Sequence, residues 1–153
     1  MKTWQLNKTE ISVHQADVPL SIENAYAKPA TQEHINALGI GVIGEAWLVS
    51  QPFQEGPAVI KFAPPQSSDS DTKTLALWAK CYRKMIVVAE REEFTALSIP
   101  LPGASPHIQG SEEAVREAVL ALSEQLQRAK HLKRLYLYAS NDESVWALLK
   151  SNS

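Results

Sequence analysis

The sequence is poor in the residues that mark several classes of protein. Cys81 is the single cysteine among 153 residues, which excludes an intrachain disulfide framework and a cysteine-rich zinc site. No stretch approaches the roughly 18 apolar residues of a membrane span, and the opening MKTWQLNKTE lacks the apolar core of a secretion signal. The net charge of −2 provides no general attraction to nucleic acid or to an anionic membrane. We therefore expect a cytoplasmic protein without a membrane partner.

Most sequence motifs of catalysis are also absent. The four histidines include no HExxH pair, and neither GxSxG nor a Walker A loop occurs. The segment GIGVIG resembles a dinucleotide fingerprint, but a strand-like stretch follows it where that motif needs a helix. Cys81 lies within the strongest helical pattern, beside Tyr82 and Met85, which favours a buried thiol over a nucleophile. No cofactor and no metal are expected.

What the sequence does contain is an alternation of strand and helix patterns. Strands are predicted at TWQLN, ISVHQAD, EAWLVS, PAVIKFA, FTALSIPL and RLYLYA. Helices are predicted at 31–38, at 72–90, after Ser111 and after Asn141, with Ser70 or Asp71 as the cap of the second. The rest of 20–44 shows no clear pattern. Because the C-terminal half consists of βα units, we predict a three-layer α/β/α domain with a mixed sheet, whose N-terminal strands add antiparallel edges.

Candidate pocket residues follow from this layout, because ligands of such sheets bind outside the carboxyl ends of the strands. That edge holds Asp17, the loop 103–110 and residues 138–141. The loop connects a strand to a helix start and contains small residues that let backbone N–H groups approach an anion, namely Gly103, Ala104, Ser105 and Gly110. The same residues also fit a plain strand-to-helix connection, in which glycine and proline only turn the chain.

From Gly44 onward the chain resembles the macro domain family, whose fold binds ADP-ribose. The stretch GEAWLVSQPFQEGPAVIKFAPP is similar to the paired strands of the family, and the stretch from LALWAK to REAV is similar to the following helix, strand, phosphate loop and helix. RLYLYASNDESVWALLK resembles the closing strand and helix, and ISVHQADV resembles the early strand that ends in Gly-Asp-Ile. The resemblance implies one macro-like α/β/α domain over residues 1–153.

The resemblance also implies roles for residues at the adenine end of a ligand. Asp17 matches the family's acid that accepts a hydrogen bond from the adenine amino group, and Val18 follows it as in the family. Tyr138 falls where several members stack an aromatic ring on adenine. From the residues alone, Asp17 has a second interpretation, in which it ends a strand and caps nearby backbone N–H groups.

The match to the second phosphate loop is partial. Ser105 and Gly110 match the family's Ser-Thr-Gly-x-Tyr-Gly, with Gly103 and Ala104 just before it. Pro106 and His107 replace the threonine and the glycine, so one donor N–H is lost and a side chain is added near the diphosphate. His107 is the candidate for a catalytic acid or base.

The largest departure from the family lies between Val18 and Gly44. The family carries Asn-Ala-Ala-Asn and a glycine-rich loop around the distal ribose, and this stretch has no clear counterpart. The resemblance therefore implies binding of ADP-ribose or a related adenine nucleotide without efficient catalysis. Two alternatives stay open: a degenerate macro-fold scaffold that contacts another protein, and an ADP-ribosyl or O-acetyl-ADP-ribose hydrolase.

Overall fold

The computed structural model describes residues 3–15, 25–49, 58–67, 69–105 and 108–151. The described strands, in chain order, are β1 (Thr3–Leu6), β2 (Thr9–His14), β3 (Ala25–Pro29), β4 (Ala46–Val49), β5 (Ala58–Phe62), β6 (Ala96–Pro100) and β7 (Arg134–Tyr138). The described helices are α1 (Gln32–Leu38), α2 (Thr72–Arg91), α3 (Glu112–Leu126) and α4 (Asp142–Ser151), and a single 3-10 turn (Ile40–Val42) follows α1. None of these helices has both the length and the apolar character needed to cross a bilayer.

The seven strands form one sheet in the order β1-β2-β7-β6-β3-β5-β4. The five central strands are parallel, and β1 and β4 pair antiparallel at the two edges. The predicted mixed sheet with parallel C-terminal strands is confirmed. Two details differ from the sequence prediction: β3 lies in the stretch without a clear pattern, and β2 is an interior strand parallel to β7 rather than an edge.

Each helix begins at a polar side chain that accepts a hydrogen bond from the first turn. Thr31 accepts from the backbone N–H of His34 at 3.1 Å, and Asn141 accepts from that of Ser144 at 3.1 Å. The two long helices use Asp71 and Ser111 in the same way, at 3.4 Å and 3.1 Å. These side chains satisfy N–H groups that have no partner inside a helix, which fixes where each helix starts. The predicted caps are confirmed, and Asp71 rather than Ser70 caps α2.

Helices cover both faces of the sheet. The main core joins alternate residues of every strand to α2, α3 and α4, which pack side by side on one face. Val145 and Leu149 dock α4 into this core, while the half-buried Trp146 packs edge-on against Trp4 with ring centroids 5.7 Å apart. On the other face, Ile35 of α1 packs against Ala30 and Ala63 near the β4 edge. The predicted three-layer α/β/α fold is confirmed.

The interpretation of Cys81 as a core thiol is also confirmed. Its side chain is fully buried on α2 and donates to the backbone carbonyl of Ala63 at 3.1 Å. Burial raises the pKa of the Cys81 thiol to about 12. A thiol that is neutral at physiological pH and shielded from solvent is a poor nucleophile, so Cys81 contributes to packing.

Candidate functional site

A cavity of about 220 Å³ opens at the carboxyl ends of β6 and β7. It lies between two connections, the loop from β6 to α3 and the shorter loop from β7 to α4. The lining residues are mostly small or polar: Pro102, Gly103, Gly110, Ser111, Glu112, Val115, Ala139, Ser140, Asn141, Ser144 and Val145. Ligands of α/β sheets bind outside the carboxyl ends of the strands, so this cavity is the candidate site.

The β6–α3 loop is held in shape by its own backbone. The N–H of Gly103 donates to the carbonyl of Ile108 at 3.0 Å, and the N–H of Ile108 donates to the carbonyl of Ser105 at 3.1 Å. The N–H of Ala104 donates to the carbonyl of Leu101 at 3.0 Å. These three N–H groups belong to the predicted phosphate loop, and all three point into the loop. They are therefore not free to bind an anion in this conformation.

Two glycines allow the loop to close at its base. Gly103 has a φ of +78°, in the left-handed region that glycine tolerates best. A Cβ on Gly110 would lie 2.4 Å from the Cβ of Pro102 and 3.0 Å from the backbone nitrogen of Gly103. The two ends of the loop, at Pro102–Gly103 and at Gly110, therefore touch at a point where only glycine fits. Both residues line the cavity, and both have a structural reason to be glycine.

The end of β6, from which the loop begins, is held by a hydrogen bond from α2. The Tyr82 hydroxyl, on a fully buried side chain, donates to the carbonyl of Pro100 at 2.6 Å. Pro100 is the last residue of β6, directly before the loop. Burial raises the pKa of Tyr82 well above its usual range, so the hydroxyl stays a donor. The hydrogen bond fixes the position from which the loop leaves the sheet.

Acidic side chains surround the starts of α3 and α4. Glu112 lines the cavity, Glu113 follows it, and Asp142 and Glu143 occupy the first turn of α4. Glu113 accepts from the Ser70 hydroxyl at 3.1 Å, and its own backbone N–H and that hydroxyl hold its pKa below the usual range. Carboxylates at these positions stabilise the helices through the dipole. Among the residues that line the cavity, Glu112 supplies negative charge, and no lysine, arginine or histidine supplies positive charge.

Tyr138 lies at the same end of the sheet but points to the opposite face. It is buried, with 8% of its surface exposed, and its ring centroid is 6.0 Å from that of His14. Its carbonyl accepts from the N–H of Leu101 at 2.8 Å, and the next residue, Ala139, donates to the carbonyl of His14 at 2.9 Å. The lining of the cavity begins at Ala139, so the Tyr138 ring is beside the site rather than in it.

The structure brings together some of the predicted site residues. Gly103 and Gly110 line the cavity, and Ala104 and Ser105 lie on the same loop, half-buried. Asp17, Val18 and His107 lie outside the described residues. Sequence reasoning did not include the first turn of α3 or the side chain of Ser144 in the site. The predicted cap at Ser111, directly after Gly110, was the signal that could have added the helix start.

The connection from β3 to α1 consists of two residues, Ala30 and Thr31. The Ala30 N–H donates to the carbonyl of Phe62 at 2.8 Å, and Thr31 caps the helix. Neither residue is a glycine, and the first glycine after β3 is Gly39, beyond the end of α1. No glycine-rich loop therefore connects these two elements.

The fold of this chain is that of macrodomains. The Oceanobacillus iheyensis macrodomain with ADP matches at a TM-score of 0.71 and 14% identity, over 99% of this chain and 93% of that chain. The macro domain of ganglioside induced differentiation associated protein 2 matches at 0.69 and 14%, over 94% and 83%. The Trypanosoma brucei macrodomain in complex with ADP-ribose matches at 0.65 and 13%, over 94% and 69%. No family model matches the sequence, and no curated protein matches it. The likeness to macrodomains is therefore one of structure at low sequence identity, as the divergent motifs predict.

Proposed function

We propose that this protein binds ADP-ribose or a related adenine nucleotide at the carboxyl edge of its sheet and does not hydrolyse it efficiently. The cavity between the β6–α3 and β7–α4 connections takes the nucleoside part of the ligand. Asp17, Val18 and Tyr138 keep the roles at the adenine end that the resemblance to the macro domain family implies for them. The Asp17 carboxylate accepts from the adenine amino group. The Tyr138 ring lies outside the lining of the cavity, so it forms a wall only for an adenine ring that extends past Ala139.

The observation that carries this proposal is the position of the cavity in the fold. It lies between two strand-to-helix connections at the carboxyl ends of adjacent parallel strands, in a fold shared with macrodomains solved with ADP and with ADP-ribose. Ser140, Asn141 and Ser144 supply hydroxyl and amide groups that suit the hydroxyls and ring nitrogens of a nucleoside. The cavity has a volume of about 220 Å³ and opens at the edge of the sheet, so a ligand as long as a nucleotide would extend along that edge.

The β3–α1 connection supports the proposal that hydrolysis is inefficient. Hydrolysis requires a ribose and a water molecule held in a fixed geometry, and a misplacement of about 1 Å can cost a hundredfold in rate. Ala30 and Thr31 offer neither an asparagine nor the free backbone of a glycine-rich loop for that task. A hydrolase would therefore have to build its site from other residues, with His107 as the candidate acid or base.

Isothermal titration calorimetry with ADP-ribose tests the proposal, with Ser140→Trp as the variant that fills the cavity. Ser140 is exposed at the surface and lines the cavity, so an indole there blocks the ligand without disturbing the core. Ser151→Trp, at the exposed far end of α4, is the matched control. We expect a loss of affinity of at least about tenfold in Ser140→Trp alone, since it removes more than one contact of about 1 kcal/mol.

Two results would contradict the proposal. If the parent protein gives no binding heat with millimolar ADP-ribose, ADP or AMP, the nucleotide function is wrong. If Ser140→Trp binds as the parent does, the ligand lies outside the cavity. Release of ADP-ribose from a modified protein substrate, lost in His107→Ala, would replace the binding function with the hydrolase.

A specific observation favours the scaffold as a second candidate function. Leu38 and Ile40, at the end of α1 and in the turn that follows it, are 53% and 81% exposed. Exposed large apolar side chains close together in the chain are one feature of surfaces that contact another protein. Failure of every adenine nucleotide to bind the parent protein would support this candidate over the first.

A further inference from the structure

Two lysines lie directly opposite each other on neighbouring parallel strands. Lys28 of β3 and Lys61 of β5 are register partners, so their Cα atoms are adjacent across the ladder. Ala27 on one strand and Ile60 and Phe62 on the other belong to the core on the α2 face. Since successive side chains of a strand point to opposite faces, both lysines project from the other face of the sheet.

Neither lysine has a counter-ion among the described residues. The ion pairs of the described chain involve Lys80, Lys84, Arg91 and His131, and none involves Lys28 or Lys61. No side-chain hydrogen bond of either lysine is found in the same part of the chain. Each is the next-to-last residue of its strand, so the pair lies at the carboxyl edge of the sheet.

A comparison within the protein shows how the fold neutralises another pair of lysines. Lys80 and Lys84 are one turn apart on α2, and Glu45 lies between them, with carboxylate oxygens 2.8 Å and 3.8 Å from the two ammonium nitrogens. Lys80 and Lys84 lower the pKa of Glu45, first through the hydrogen bond from Lys80. The lysines of β3 and β5 are at least as close in the backbone, yet they lack such a carboxylate in the described chain.

We propose that Lys28 and Lys61 form a binding site for a phosphate group. Like charges directly opposite each other destabilise a sheet, and a dianion between two ammonium groups converts that repulsion into attraction. Lysine is a common phosphate ligand, because its ammonium group is a compact charge with three donors. The site does not rest on the nucleotide function proposed above. Its ligand is a phosphate or diphosphate, carried by a nucleotide or by another small molecule.

The position of the pair complements the chemistry of the cavity. The lining of the cavity contains a carboxylate and no cation, and the N–H groups of Gly103, Ala104 and Ile108 are engaged within the β6–α3 loop. β3 is the neighbour of β6, and β5 is the next strand, so the lysines lie one and two strands from β6 along the same edge, on the face of the sheet opposite α3 and α4.

The test is a titration of the parent protein with pyrophosphate at constant ionic strength, followed by calorimetry. Lys28→Gln, Lys61→Gln and the double variant remove the charges, and Lys8→Gln is the control with the same net charge change. Lys8 is an exposed residue of the β1–β2 turn, at the other end of β2 from the carboxyl edge. We expect a loss of affinity of about tenfold in each single variant of the pair and none in Lys8→Gln, as for a charged hydrogen bond.

The unfolding temperature is a second measurement that distinguishes a phosphate site from lysines with only a structural role. Without an anion and at low ionic strength, Lys28→Gln and Lys61→Gln are expected to unfold at a higher temperature than Lys8→Gln, because they relieve repulsion. Pyrophosphate should raise the unfolding temperature of the parent and leave that of the double variant unchanged. Competition by ADP-ribose would identify a nucleotide as the source of the phosphate, and pyrophosphate binding without competition would identify a separate ligand.

The proposal is overturned by either of two outcomes. One is that millimolar pyrophosphate does not bind the parent protein. The other is that the double variant binds pyrophosphate with the parent's affinity, which would place the anion elsewhere. Since pyrophosphate does not require the cavity, the Ser140→Trp result and the lysine results can fail separately.

Discussion

Gly110 provides the sharpest test of how the loop beside the cavity is built. In Gly110→Ala the new Cβ would be 2.4 Å from the Cβ of Pro102, and 3.0 Å from the carbonyl carbon of Pro102 and from the nitrogen of Gly103. All three atoms belong to the backbone or to a proline ring, so no flexible side chain can move aside. The two ends of the loop must separate, and overpacking of this kind costs about 1–3 kcal/mol.

Gly41→Ala is the matched control, because a Cβ on Gly41 would have no heavy atom within 4 Å. Chemical denaturation of both variants should give a free energy of unfolding that falls by about 1–3 kcal/mol in Gly110→Ala and by less than about 0.5 kcal/mol in Gly41→Ala. Ligand affinity should fall only in Gly110→Ala, since the displaced loop lines the cavity. A Gly110→Ala protein as stable as Gly41→Ala would refute the close approach of Pro102 and Gly110.

Two further predictions concern stability. Partial burial opposes ionisation of Glu90, but hydrogen bonds from the backbone N–H groups of Lys130, Leu132 and His131 outweigh it and hold its pKa below the usual 4.5. The stabilisation is therefore present above about pH 4.5 and is lost as the pH falls through the lowered pKa. The free energy of unfolding of Glu90→Gln should be about 1.5–3 kcal/mol lower than that of the parent at pH 7, and this difference should shrink in acid. An equal difference at pH 3 and pH 7 would contradict this. Tyr82→Phe leaves the Pro100 carbonyl without its donor and should cost about 1–3 kcal/mol in denaturant unfolding, whereas Tyr26→Phe, at a half-buried ring, should cost less than about 0.5 kcal/mol. Equal costs in the two tyrosine variants would show that the hydrogen bond of Tyr82 does not stabilise the protein.

The elements that could be predicted from the sequence are those whose pattern is local. The caps Thr31, Ser111 and Asn141 and the apolar period of α2 are each contained within a few residues, and the structure confirms them. β3 has no such pattern, because AYAKP contains alanine, lysine and proline rather than β-branched residues. It is a strand because β5 and β6 pair with it on both sides, and Pro29 lies beyond Ala25 and Tyr26, the last residues paired with β6.

The candidate site was predictable only in part, for a related reason. The loop 103–110 could be placed at the carboxyl edge, because its position follows from the order of strand and helix. The direction of the N–H groups of the loop could not be predicted, because this direction depends on the backbone angles of the folded loop. The pairing of Lys28 with Lys61 was equally hidden, since residues far apart in sequence become neighbours only through the register of β3 and β5.

The low identity to the solved macrodomains and the good agreement in fold have one physical explanation. The layers depend on alternation and helical period, which many apolar residues satisfy, and the structures match over nearly the whole chain at 13–16% identity. A ligand site depends on particular atoms at the strand ends. At the end of β3 the chain has a lysine one residue before the end and a two-residue link to α1. At the ends of β6 and β7 it has a cavity between glycine, serine and asparagine residues. The proposed nucleoside cavity and the proposed lysine site therefore depend on different strand ends, so a substitution in one is expected to leave the other intact.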